Sequence, residues 1–129
     1  MRPPPAALAL SGFLVGAGVS HFVVPGFYDR IVPHALPGPP RAWTYASGVA
    51  EIGVGAVVAV PGKRSRAALL AAALFVVVFP ANVQQAVDAS SAQEKAIAYV
   101  RLPLQIPLVL WALKVSRASR RQGLRDPAR

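Results

Sequence analysis

Among the polar side chains that fall inside long apolar runs, six could do chemistry together: His21, Glu51, Asn82, Gln85, Arg101 and Gln105. In a bilayer a charged group near mid-depth costs roughly 2.5–3.5 kcal/mol on the most lenient scale, so each needs a partner or a purpose. Glu51 is the sharpest case. It lies about nine residues into the second apolar run, or roughly 13 Å at 1.5 Å per residue. Ser47, Gly48 and Gly55 share its helical face, and small residues there let another helix come close. Arg101 is the counter-ion the sequence offers, with Gln105 one turn further along its face. Asn82 and Gln85 are three apart on a third helix, and Ser20 and His21 close the first. An acid, a base and several amides at one depth suit proton transfer and hydrogen bonding to a bound molecule. All six are read as candidate cofactor-binding residues.

Prolines share that layer. Pro80 precedes Asn82, and Pro103 and Pro107 flank Gln105. A proline inside a helix removes one backbone donor and bends the chain. Freed carbonyls are tolerated in a membrane where they line a cavity, so a polar pocket is expected here. Plainer roles stand beside this one. Glu51 and Arg101 can form a structural ion pair, and Asn82 and Gln85 can tie helices together. His21 can donate one interfacial hydrogen bond, and Gly12 and Gly16 form a small-xxx-small pair suited to packing within the chain.

The elements that must carry these residues are four apolar stretches, roughly 5–24, 42–60, 67–87 and 98–115, each about long enough to cross a hydrocarbon core. The chain has 129 residues, is 54% hydrophobic and has a net charge of +9. Its charge lies between the apolar runs rather than interleaved with them, unlike a nucleic-acid-binding surface. With no cysteine, the sequence excludes disulfides, thiolate metal sites and a dithiol redox cycle of its own; its two histidines make a metal cluster unexpected. The first run continues to Val24 without a small-x-small cleavage site, so it is read as a span rather than a signal peptide. The 25–41 connection, with five prolines, is read as a cap over the bundle, and 27–32 as a short interfacial helix.

Ten of the 14 basic residues fall at one end of this layout: Arg2, the 61–66 turn and everything from Lys114 onward. The positive-inside rule then puts both termini in the cytoplasm. The expected fold is an all-α integral membrane four-helix bundle with up-down topology, multi-pass in the cell membrane. Residues 1–116 form the transmembrane domain, and 117–129 a basic cytoplasmic tail that ends in disorder.

The segments Gly18-Val19-Ser20-His21-Phe22 and Pro25-Gly26-Phe27-Tyr28 resemble the first helix and loop of the DoxX-like family of small four-helix membrane proteins. Ser47-Gly48-Val49-Ala50-Glu51, Phe79-Pro80-Ala81-Asn82 and Arg101-Leu102-Pro103-Leu104-Gln105 continue the pattern, so the resemblance covers about residues 11–116. It implies an accessory or quinone-interacting subunit of a membrane oxidoreductase, not an enzyme on its own, with quinone as cofactor. The implied partners are the lipid bilayer and oxidoreductase subunits, with oligomers allowed and no nucleic acid. A structural or assembly protein and a small-solute transporter remain as alternatives.

Overall fold

The computed structural model describes residues 3–126. Arg2 and Arg129, both used in the charge count, lie outside them. The described chain is helical: α1 (Pro5–Val23), α2 (Pro25–Asp29), α3 (Pro40–Val58), α4 (Arg64–Val77), α5 (Phe79–Asp88) and α6 (Ala92–Arg125). Proline opens α1, α2, α3 and α5 within their first two positions, where its missing N–H costs no hydrogen bond. Ser91 starts α6 with a reciprocal cap. Its hydroxyl accepts from Glu94 N at 3.1 Å, and the Glu94 carboxylate accepts from Ser91 N at 3.2 Å.

Among the described residues, three segments are long and apolar enough to cross a membrane: Pro5–Val23, Arg64–Asp88 and Ala92–Arg125. The middle one is α4 and α5 taken together. Pro80 has no N–H for the Val76 carbonyl, and the helix is interrupted at Val78. The fourth expected span, α3, falls short of that apolar character. Arg41, Glu51 and the polar residues between them dilute its valines. No more than 33% of the apolar stretch in any of the three spans is buried. Their outer faces carry exposed Val19, Leu70, Val76, Ile106 and Leu110, a surface suited to lipid.

Antiparallel α1 and α3 make the closest packing. A Cβ on Gly18 would lie 2.6 Å from Gly48 O and 2.7 Å from Ile52 Cγ1; one on Gly55 would lie 2.9 Å from Leu14 Cβ. Ser11 Oγ donates to Gly55 O at 2.7 Å, using that approach. Gly12 and Gly16, expected to pack within the chain, have nothing within 4 Å of a Cβ. They point away from α3, and Gly18 takes the role.

The dry core sits at the end of the bundle that holds the start of α1. Leu10, Leu14, Val58, Ala68, Phe75 and Val115 belong to it. Ser65 and Ser116 exchange hydroxyl-to-carbonyl bonds of 3.1 and 2.8 Å there, locking α4 to α6. Buried Arg64 donates to Val58 O at 2.9 Å and Ala59 O at 3.2 Å, a cationic cap on the carbonyl end of α3. Residues 117–125 of the basic tail continue α6 as helix, and 127–129 lie outside the described residues. Arginine, alanine, lysine and glutamine are strong helix formers, and they extend a helix already nucleated by packing.

Candidate functional site

At the opposite end the helices hold polar groups instead of a dry core. His21 ends α1, and Gly48 on α3 makes room for it: a Cβ there would fall 2.9 Å from His21 Cβ. His21 Nδ1 lies 2.9 Å from the Thr44 carbonyl. A carbonyl only accepts, so Nδ1 carries a hydrogen. The other ring nitrogen, Nε2, lies 3.2 Å from Glu51 Oε2. That is ion-pair distance for a protonated imidazole, but the approach is not a hydrogen bond, and Glu51 Oε2 is buried without a hydrogen-bond partner. Both side chains are largely buried, with 9% and 12% of their side-chain surface exposed.

The short helix α2 folds over this pair. The Tyr28 ring stacks on His21 with centroids 3.7 Å apart. Ser20 Oγ donates to Ala17 O, so its contact with Tyr28 uses the phenol as donor. Asp29, the last residue of α2, accepts from Thr44 Oγ1 at 2.7 Å and Arg41 Nε at 2.8 Å. The Thr44 hydroxyl first, and Arg41 after it, hold the Asp29 carboxyl below its ordinary range. Thr44 thus joins the cap to the site: its hydroxyl holds Asp29, and its carbonyl holds His21.

Arg101 departs from the expected pairing. Among the described residues the ion-pair partner of Glu51 is His21. Arg101 Nη1 instead donates to Gln85 Oε1 at 3.0 Å, and its guanidinium lies 5.8 Å from the Phe27 ring centroid. Arg101 projects from α6, which packs on α5 and shares its polar face, while Glu51 faces α1 across the cavity. One turn along, Asn82 Nδ2 donates to Gln105 Oε1 at 2.9 Å. Asn82 Oδ1 and Gln105 Nε2, both buried, keep unmet hydrogen-bonding capacity. Flipping both amides exchanges their roles and still leaves one donor and one acceptor unmet.

These residues form a polar belt between two apolar chambers. A cavity of about 460 Å³ lies under the loop, walled by Ile31, Val32, Leu36 and Trp43 on one side and Val77 and Pro80 on the other. A second, of about 210 Å³, extends toward the core between Phe13, Phe75, Leu104 and Leu108. His21, Tyr28, Glu51, Asn82 and Arg101 line both. Gln105 lines the inner chamber, and Gln85 reaches the belt by holding Arg101. Apolar walls with a few convergent polar groups suit a small lipid-soluble molecule. Among the described residues no cluster of three metal-ligating side chains occurs.

Of the six residues picked from sequence, five line the chambers directly. Tyr28 and Thr44 were missed as site residues. Tyr28 lies inside a noted motif, but its stacking depends on the loop folding back. Thr44 acts largely through its carbonyl, which side-chain chemistry cannot flag.

A family model described as a domain of unknown function, DUF8561, matches residues 10–116. The chain belongs to the DUF8561 family. That domain takes in α2 to α5 whole, most of α1 and α6, and both halves of the polar belt. No curated protein and no solved structure matches the chain.

Proposed function

We propose that this multi-pass membrane protein binds a lipid-soluble, carbonyl-bearing ligand in the two-chambered cavity, and serves a membrane oxidoreductase system as a non-enzymatic accessory. In this reading α3 crosses the bilayer as a fourth span beside the three apolar ones. Its charged face is then sheltered by α1 and the cavity. Both termini lie in the cytoplasm, following the basic residues. The observation that carries the reading is the buried belt: the His21–Glu51 ion pair, whose Glu51 Oε2 lacks a hydrogen-bond partner, beside an amide pair with unmet capacity, bordered by apolar walls. Quinone is the ligand that the DoxX-like resemblance suggests. Its ring suits the apolar chambers, and its carbonyls accept from Gln105 or Arg101.

Native mass spectrometry of the protein in nanodiscs tests this. Wild type should retain quinone stoichiometrically, and Glu51→Gln should lose it. Folded wild type that carries no quinone and binds none when it is added would sink the proposal. A purely structural role is the second reading. It draws on the two α5–α6 cross-links, Asn82–Gln105 and Gln85–Arg101. It predicts that apolar replacement of both amides at 82 and 105 leaves cellular activity intact.

A further inference from the structure

Among the described residues, three buried side-chain atoms have no hydrogen-bond partner: Glu51 Oε2, Asn82 Oδ1 and Gln105 Nε2. All three residues line the inner chamber of about 210 Å³. Asn82 is 3% exposed and Gln105 7%, so bulk water does not serve them. The two amide atoms are the free ends of one bonded pair, and exchanging the amide orientations leaves one donor and one acceptor there as before. Glu51 is independent of that choice. Paired with His21 as a carboxylate, it can only accept, and Coulomb attraction to the imidazolium leaves the lone pairs of Oε2 unfilled. The chamber therefore presents two acceptors and one donor, with the guanidinium of Arg101 as a further donor. A ligand carbonyl serves the donors alone. A hydroxyl serves both kinds, since its hydrogen donates and its oxygen accepts. A buried acceptor left unmet is costly, and more so when it is charged.

We propose that the inner chamber binds the hydroxyl of a lipid-soluble phenol, which donates to Glu51 Oε2 while its oxygen accepts from the free amide donor or Arg101. The inference rests on the cavity being a ligand site, as proposed above, and names the group that the site reads. The walls favour a phenol. Phe13 and Phe75 border the chamber with centroids 6.1 Å apart and rings tilted by 58°, so an aromatic ring can pack against a face or an edge. A phenol is also a stronger donor than an aliphatic alcohol, and a hydrogen bond to a carboxylate is the strong, charge-assisted kind. The outer chamber, walled by Ile31, Leu36 and Val77, suits an apolar tail. For a quinone the consequence is selective. The reduced form, whose two oxygens carry hydrogens, is held more tightly than the oxidised form, whose carbonyls leave Oε2 unmet.

The measurement is competition read by native mass spectrometry, with the full chain in phosphatidylcholine nanodiscs, whose lipid has no O–H group. The probes are para-nonylphenol and its methyl ether, para-nonylanisole, loaded to equal mole fraction in the lipid, with partition into empty discs as calibration. The ether keeps the ring, the tail and an accepting oxygen and lacks only the donor. The phenol should be bound in at least about tenfold excess. In Glu51→Gln the phenol should fall to within about threefold of the ether, and Glu51→Asp, which keeps the carboxylate, should recover part of the preference as a check on folding. The double variant Asn82→Leu with Gln105→Leu should keep the preference, because Glu51 is the acceptor. Under anaerobic conditions decylubiquinol should outcompete decylubiquinone by a similar factor. Equal binding of phenol and ether, or the full preference in folded Glu51→Gln, overturns the inference. So does a quinone held as tightly as its quinol, which leaves the proposed function standing. Preference for the phenol in a protein that takes neither quinone nor quinol removes the quinone reading alone. If folded protein takes no probe, both fall.

Discussion

His21 Nε2 stands 3.2 Å from Glu51 Oε2, while its Nδ1 is tied to the Thr44 carbonyl at 2.9 Å. Fixing one nitrogen as a donor leaves the second to face a carboxylate, and that makes the two side chains an ion pair. Removing His21 alone strands the acid. His21→Ala should destabilise the protein by about 3 kcal/mol, the usual cost of leaving a buried charge unpaired. Adding Glu51→Gln should recover most of that loss. Thermal unfolding in a fixed detergent checks it; a double variant no more stable than His21→Ala would count against the ion pair.

The amide pair behaves differently because neither partner is charged. Asn82→Leu alone should cost about 1–3 kcal/mol by leaving the Gln105 amide without its partner. Asn82→Leu with Gln105→Leu should be closer to wild type than either single variant. Four unfolding curves complete the cycle.

Glycine tolerance separates the two faces of α1. Gly18→Ala drives a methyl to 2.6 Å from Gly48 O, so about 1–3 kcal/mol of destabilisation is expected. Gly12→Ala meets nothing within 4 Å and should stabilise by up to about 1 kcal/mol through helix propensity. Equal melting temperatures for the two variants would contradict the α1–α3 approach.

Asp29 makes the cap pH-sensitive. Its carboxyl titrates lower in the folded chain than in the unfolded one, so the folded state favours the ionised form. The stabilisation is complete above the ordinary carboxylate range and is lost as pH falls through the lowered folded value. Hydrogen exchange of residues 25–38 should therefore quicken, relative to α4, as the medium is acidified below that range. Asp29→Asn should show no such acid-dependent loosening. Identical acid profiles for both proteins would mean that Asp29 does not anchor the cap.

Much of this was legible in the sequence, for physical reasons. Apolar runs of bilayer length, turn prolines and a polar layer at common depth follow from composition and spacing. They announced the helical membrane architecture, a short helix in the 25–41 connection (at Pro25–Asp29 rather than the expected 27–32) and the convergence of His21, Glu51, Asn82 and Arg101 on one cavity. The break at Val78 follows from Pro80, since a missing N–H acts locally. Pairing was not legible. Depth along a helix is set by residue number, but which helix a side chain faces depends on rotation and packing. Opposite charge suggested Glu51 with Arg101. Tertiary packing put α1 against α3 through Gly18, Gly48 and Gly55, and so set His21 against Glu51 and left Arg101 to Gln85. The sequence by itself determined what kinds of groups reach that depth; the glycine-mediated contact between two helices, a property of shape rather than charge, decided which of them meet.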